Sequence, residues 1–419
     1  MNAILSGNRG VFLVGLLALA VRLAFVWSQG APARLSNDAV EYDAYAVHLV
    51  SAGEFAGSLP AGERASRMPG YPLFLAIVYF LCGHSFLAVQ WAQCVLGALT
   101  CLLLYVLAQS LLEKPWPLLC AIACALNWDL IQSCSSILSE CFYAFLITAA
   151  FAALHRGSWS PWTRAVGAGA GLGCAYLVRP EILPWALLLF VALPWLLRSF
   201  PRKAASLGLL VVALCAAVWT TRNFAIFHRL VPATTKGSCT LYMGLRLPLR
   251  DSAELGPVYQ PLEGLDELER DRSYRSAFQD LRRRLSWPRQ VKAYLFDLAS
   301  AYYPFLPDYD ITYAFLVPFF LFGLWTARHR RVFWPAAGVV LSLSAAFTFF
   351  GGPVSRYRFG FIPLLILFAG LGAQALHERI RPKLLRACAA GWGILNIAVW
   401  LLAPSWRGLV LHLRDVIWR

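Results

Sequence analysis

The chain has 419 residues, of which 59% are hydrophobic and only 14% charged, against about 45–50% and about 25% in soluble domains. With a mean hydropathy of +0.59, this composition cannot clothe an aqueous surface, which excludes a soluble enzyme on one anchor, a secreted disulfide scaffold and a disordered chain. The net charge of +15 comes from 37 basic against 22 acidic residues, but the basic residues are scattered between apolar runs rather than gathered into a nucleic-acid footprint.

The sequence reads as an all-α polytopic membrane protein. A bilayer core needs about 20 apolar residues per helix. Runs of that order, with ragged ends, cover 10–28, 86–112, 117–134, 137–154, 164–179, 182–197, 204–221, 311–327, 332–350, 359–376 and 386–403, which gives about 11 spans. The first run is not read as a signal peptide, because one basic residue precedes it, Arg22 interrupts it and no small-residue cleavage site stands before Gln29. Residues Gly70–Gly83 are apolar but only 14 long, and are read as a helix lying in the outer face.

Charge sets the expected orientation. With the N-terminus cytoplasmic, the short inner loops and span ends hold fourteen basic residues, from Arg9 to Arg386, against two acids, Glu113 and Glu378. Counting Gly70–Gly83 as a span would invert every later loop and destroy that asymmetry. Two long segments then fall outside, 29–85 and 222–310, the second with a polar, helix-forming stretch over Gly264–Tyr303. The expected organisation is one membrane unit over 1–403 and a short amphipathic tail over 404–419. The eleven cysteines sit mostly inside apolar runs with no CxxC pair, as small buried hydrophobes.

In the first outer segment, Asp38, Tyr42, Tyr45 and Leu49 follow i, i+4, i+7, i+11 spacing, one face of a helix that Gly53 stops. From spacing alone Asp38 is an N-cap, with Glu41 at N3 completing a capping box. Further on, Pro69 and Pro72 bias Met68 and Tyr71 toward extended backbone, Gly70 permits close backbone approach, and Arg67 is pressed against the membrane surface, where it can hold a lipid phosphate. At the outer ends of spans stand Glu140, Arg179, Glu181, Arg222 and Asn223. Ionisable groups at membrane depth are functional by default, although Arg179 and Glu181 suit a mutual structural pair. Arg356 and Arg358, in extended backbone, would point the same way and offer two guanidiniums to one phosphate. Asp308-Tyr-Asp310 has the form of a metal-diphosphate motif but immediately precedes a span, where helix capping is the expected role. No HExxH, GxxxxGK or strand-following GxGxxG occurs, so nothing marks a nucleotide site.

These landmarks have a familiar order. The chain resembles the GT-C membrane glycosyltransferases, in the bacterial branch related to protein O-mannosyltransferases and aminoarabinose and galacturonic acid lipid-A transferases. The matching stretches are Asp38-Ala-Val-Glu-Tyr42, Arg67-Met-Pro-Gly-Tyr-Pro-Leu-Phe-Leu-Ala76, Leu138-Ser-Glu-Cys-Phe142, Leu177-Val-Arg-Pro-Glu181, Trp219-Thr-Thr-Arg-Asn223, Thr235-Lys-Gly237 with Leu241-Tyr-Met-Gly244, Glu269-Arg-Asp-Arg-Ser-Tyr274 leading to Pro288 and Lys292, and Arg356-Tyr-Arg358 before Pro363. The resemblance implies a polyprenyl-phosphate sugar donor used on the outer face of the inner membrane, and a hydroxyl or phosphate of an envelope glycolipid, polysaccharide or protein as acceptor. It raises Asp38 from cap to catalytic residue. Ala39 stands where the family's motif often has a second acid, leaving Glu41 or Asp43 to assist or to hold a divalent cation, Mg or Mn. Substrate contacts are expected from Tyr42, Arg67, Tyr71, Glu140, Arg222, Asn223, Lys292, Arg356 and Arg358.

The chemistry is consistent with these residue types. Displacing a polyprenyl phosphate from a sugar C1 needs a base for the acceptor hydroxyl and cations for the departing phosphate. A half-buried Asp38 is expected to have a raised pKa, and a single displacement inverts the anomeric centre. The alternatives are a polysaccharide polymerase or ligase, and a transporter or flippase of lipid-linked saccharides. The transporter is disfavoured because midplane charges and inverted repeats are missing from the sequence.

Overall fold

The computed structural model describes residues 2–30, 35, 37–57, 62–197, 200–249, 255, 257–261, 264–302, 310–350 and 355–418, with side chains omitted at 2–8, 37, 347–350, 355, 382 and 403–418. Among them every regular element is helical. Helices α1 (Asn2–Gln29), α2 (Asn37–Ala52), α3 (Gly70–Cys82) and α4 (Phe86–Gln109) open the chain. Next come α5 (Trp116–Leu126), α6 (Trp128–Gln132), α7 (Glu140–Leu154), α8 (Pro161–Val178), α9 (Leu183–Leu196) and α10 (Arg202–Phe227). The second long segment folds as α11 (Gly237–Arg246), α12 (Glu267–Arg284) and α13 (Trp287–Tyr302), and the rest as α14 (Ile311–Ala327), α15 (Trp334–Phe350), α16 (Ile362–Arg379) and α17 (Pro382–Trp418).

Each of the eleven apolar runs falls largely on helix, and among the described residues five helices are long and apolar enough to cross a membrane by length and composition. Two boundaries differ from the sequence reading. The run 117–134 is broken at Asn127, which leaves helical backbone (φ −69°, ψ 124°) and caps α6 by accepting from the Leu130 N–H. The break turns Asp129 inward, to 4% exposure. Helix α17 runs through residue 404 without interruption, where the sequence reading began a separate tail.

Helix α16 is the axis of the bundle and is buried along almost its whole length. It crosses α14 backbone to backbone: a Cβ on Gly323 would lie 1.8 Å from the Phe368 carbonyl oxygen, and one on Gly372 2.0 Å from that of Phe319. Small residues permit this approach, which lets dispersion and weak polar contacts hold helices together where no hydrophobic drive exists. Helix α8 lies between α7 and α10, and α4 lies against α1, α5 and α7. Arg22 of α1 is fully buried and donates to the carbonyls of Ala18, Cys124 and Ala125 at 3.0–3.1 Å, tying α1 to the end of α5.

The first long segment carries α2 and α3, packed on each other. Helix α3 leaves Leu73, Ile77, Phe80 and Leu81 exposed, an apolar stripe at i, i+4, i+7, i+8 suited to lying in a membrane interface. Gly70 does permit close approach: a Cβ there would meet the Leu177 backbone at 2.8 Å. The second long segment has its own small core around Tyr242, Leu245, Leu281 and Leu285, and α12 starts with a full capping box between Asp266 and Glu269.

Candidate active site

The two long segments are stapled together before any site is formed. Glu267, in the first turn of α12, accepts from the backbone N–H groups of Arg64 and Ala65 at 2.7 and 2.8 Å and from the Thr235 hydroxyl at 2.6 Å. Arg270 pairs with the buried Glu63 at 2.5 Å. Arg222 donates to the carbonyls of Arg64 and Phe55 at 2.6 and 3.1 Å, and Asn223 is buried, accepting from Arg222 and donating to the Val231 carbonyl. Arg222 and Asn223, expected to contact substrate, hold the backbone at residues 55, 64 and 231. This scaffold fixes the loop that ends in Arg67.

Arg67 is the hub. Its Nη2 donates to Asp38 Oδ1 at 2.6 Å and its Nε to Glu41 Oε2 at 2.8 Å, while its guanidinium lies 5.0 Å from the Tyr42 ring centroid. Asp38 and Glu41 are three apart on α2 and so share a face. Arg356 donates to the other oxygen of Asp38, so a guanidinium holds each carboxylate oxygen. The expected cap does not form: Asp38 and Glu41 bond to cationic side chains rather than closing a capping box on α2.

The protonation expectation is corrected too. Burial pulls the Asp38 carboxyl upward, but the charges of Arg67 and Arg356, with their hydrogen bonds, outweigh it and hold the group at about 2. Burial raises Glu41 as well, and its hydrogen bond and charge contact with Arg67, followed by Lys236, bring it below the usual carboxylate range. Lys236 bonds both oxygens of Glu41 at 2.5 and 2.6 Å. Sequence reasoning quoted Lys236 only as part of a matching stretch and missed it as a site residue, since its partner lies 195 positions away.

Asp43 faces elsewhere, accepting from Tyr79 at 2.7 Å and lying 2.8 Å from His84 Nε2. Tyr42 stands edge-on to the buried Tyr71 at 5.0 Å, and the Tyr71 hydroxyl donates to Gln93 at 3.0 Å. Tyr71 therefore supports the hub from below. Lys292 is half-buried on α13 and, among the described residues, makes no hydrogen bond to Asp38.

Glu140 begins α7 and forms the far wall. It accepts from Arg179 at 2.7 Å and lies 3.7 Å from Arg356 Nε. The expected Arg179–Glu181 pair exists at 3.8 Å, but Glu140 is the closer partner. Both Glu140 Oε2 and Arg356 Nε are buried with no hydrogen-bond partner. Orphaned polar atoms cost stability and need an explanation; here the donor belongs to Arg356, which also bonds Asp38.

The paired-arginine expectation fails on backbone geometry. Residues Ser355–Phe361 form a 3₁₀ turn rather than extended chain, and with three residues per turn, side chains two apart diverge by about 120°. Arg356 is 31% exposed at Asp38, whereas Arg358 is 1% exposed, bonded to Asp129 at 2.7 Å and 3.9 Å from Asp310. Asp310 caps α14, accepting from Thr312 and Tyr313 N–H at 2.8 and 2.9 Å, as expected; Asp308 lies outside the described residues. A divalent cation does not fit the acids at the hub, because Arg67, Arg356 and Lys236 already neutralise Asp38 and Glu41. No group of three or more His, Cys, Asp or Glu is arranged for a metal among the described residues.

The comparisons agree on one fold. Residues 66–220 match the dolichyl-phosphate-mannose-protein mannosyltransferase family, a stretch from the hub loop through α10. The archaeal oligosaccharyltransferase AglB from Archaeoglobus fulgidus, solved with an inhibitory peptide and a dolichol-phosphate, superposes with a TM-score of 0.58 at 13% identity over 98% of this chain and 55% of its own. ArnT from Cupriavidus metallidurans in the apo state gives 0.56 at 14% identity over 96% of this chain and 65% of its own. Bound to undecaprenyl phosphate, it gives 0.50 at 14% identity, over 96% and 72%. The chain spans about half the length of the oligosaccharyltransferase, and no curated protein matches it in sequence. The chain has the GT-C fold, related to that of O-mannosyltransferases and ArnT.

Proposed function

We propose that the chain is an integral-membrane glycosyltransferase that moves a sugar from a polyprenyl-phosphate donor to an acceptor hydroxyl on the extracytoplasmic face of the inner membrane, with the N-terminus cytoplasmic. The single observation that carries this reading is the hub itself: a carboxylate gripped on both oxygens by Arg67 and Arg356, with the Nε of Arg356 making no hydrogen bond and only a 3.7 Å ion pair with Glu140. Guanidiniums are the preferred partners of phosphate, and a carboxylate beside them can serve as general base. The sidedness rests on the basic inner loops, since α2, α3 and α11–α13 all belong to the two segments on the opposite side.

Held by the two guanidiniums, Asp38 is ionised and, near pKa 2, a weak proton acceptor. A donor phosphate competes for the same two guanidiniums. As they turn to it, Asp38 loses the charges that depress it, and burial then raises its basicity. The acceptor oxygen attacks C1 of the sugar as its proton passes to an Asp38 oxygen. The C1–O bond breaks, and the polyprenyl phosphate leaves with the electron pair, its charge held by Arg67 and Arg356. One displacement from the opposite face inverts C1. Glu41, held by Lys236, fixes Arg67 and so positions the phosphate grip.

The test is sugar transfer by purified protein in liposomes. Asn at position 38 keeps the shape but accepts no proton, so Asp38→Asn should lower turnover by roughly 10²–10⁴ in a protein that still folds, with the unfolding temperature lowered because Arg67 and Arg356 lose their counter-charge. Near-normal turnover in a folded Asp38→Asn protein would exclude Asp38 as the base.

A further inference from the structure

A groove lies away from the hub, between α5, α14, α16 and α17. It is an open groove of about 920 Å³, near the upper end of ligand pockets. Its walls are apolar side chains such as Leu119, Ile122, Phe315 and Ile366, and its few polar groups include His377 and Arg386 at one end. The groove exists because α17 stands off the bundle: 6% of the Lys383–Leu402 stretch is buried, against 83% of Arg356–Arg379 in α16. Trp392 of α17 reaches across, donating to the Phe315 carbonyl at 3.2 Å.

The charge at its mouth selects the occupant. Beside Arg386 the chain carries Arg379, Arg381 and Lys383, with Lys114 just before α5, against Glu113 and Glu378. Arg379 is anchored over the Phe322 and Trp325 rings of α14 at 5.7 and 5.6 Å, so the basic rim bridges the two helices that flank the groove. His377 stands edge-on to Trp116 at 5.9 Å. A second copy of this chain would bring an identical basic rim and meet repulsion. An apolar slot with a cationic mouth between membrane helices is the arrangement that holds an anionic lipid headgroup with its chains inserted.

We propose that this groove binds one anionic phospholipid, its phosphate at the Arg386–His377 end and its acyl chains between α17 and the α5–α14–α16 wall, filling the space that α17 leaves. The lipid joins α17 to the bundle and takes no part in sugar transfer, so the proposal stands apart from the function proposed above.

The test uses the full-length purified protein, delipidated and then offered phosphatidylglycerol or phosphatidylcholine, with bound lipid counted by native mass spectrometry and unfolding followed by temperature. Phosphatidylglycerol should be retained at about one molecule per chain and raise the unfolding temperature, while phosphatidylcholine does neither. Arg386→Gln should weaken phosphatidylglycerol retention by roughly fivefold, the worth of one basic residue near an anionic headgroup. Gly393→Leu occupies the slot, since a Cβ at Gly393 comes no nearer than 3.8 Å to Phe315, and should abolish retention while the lipid-free protein unfolds at the same temperature or higher. Equal retention of the two lipids, or full phosphatidylglycerol retention by Gly393→Leu, would overturn the proposal. So would a wild-type dimer that Gly393→Leu dissociates, which would make a second copy the occupant.

Discussion

Two arginines two residues apart have opposite surroundings. Arg356 is part-exposed, bonds an oxygen of Asp38 and has an Nε that makes no hydrogen bond. Arg358 is sealed at 1% exposure between Asp129, Asp310 and the face of Tyr313, whose ring centroid is 4.0 Å away. Both are guanidiniums on carboxylates, yet one is 31% exposed beside a part-exposed carboxylate, and the other joins α6, the 3₁₀ turn and the start of α14. Residue type identifies an anion partner; only the backbone turn between them decides which arginine is available to substrate.

The largest effect that separates them is on folding. Arg358→Ala leaves Asp129 buried without its counter-charge, which costs about 3–5 kcal/mol, so expression and thermal stability should collapse. Adding Asp129→Leu should recover much of the loss, because apolar replacement of both partners is often neutral. A stable, inactive Arg358→Ala protein would move Arg358 into the substrate site. A smaller effect is expected at position 356. Arg356→Lys keeps the charge without the planar fork, and transfer should fall roughly tenfold, with donor KM rising and unfolding temperature unchanged; full activity would remove the fork from the account. Smallest is the pair between Glu54 and Arg64, at 3.6 Å with both side chains about half exposed or more. Glu54→Ala should change stability by no more than about 0.5 kcal/mol, which calorimetry can check, and a larger change would mean that the 55–65 backbone depends on it.

The sequence shows why some of this was legible and some not. Apolar runs and basic loops located the helices because span length and loop charge are local properties. The α2 face was legible from spacing, since Tyr42 and Tyr45 are buried where i, i+4, i+7 placed them, and Asp310 was legible as a cap because Ile311-Thr-Tyr follows it directly. The 3₁₀ turn at 355–361 was not, because nothing in Arg356-Tyr-Arg358 distinguishes it from extended chain. Nor were the partners of Arg358 and Glu41, which lie 229 and 195 positions away. The expected rise in the Asp38 pKa failed for the same reason: burial was foreseeable, whereas the second guanidinium arrives from residue 356.

The central claim is that Arg356, with Arg67, receives the donor's phosphate. It is tested most directly by equilibrium binding of a polyprenyl phosphate, without sugar or acceptor, to purified wild-type and Arg356→Ala protein whose unfolding temperatures have been matched. Loss of a charged hydrogen-bonding partner is worth about 1.5–3 kcal/mol, so affinity should fall by roughly 10- to 100-fold with the fold intact. Unchanged affinity in a stable Arg356→Ala protein would contradict the account.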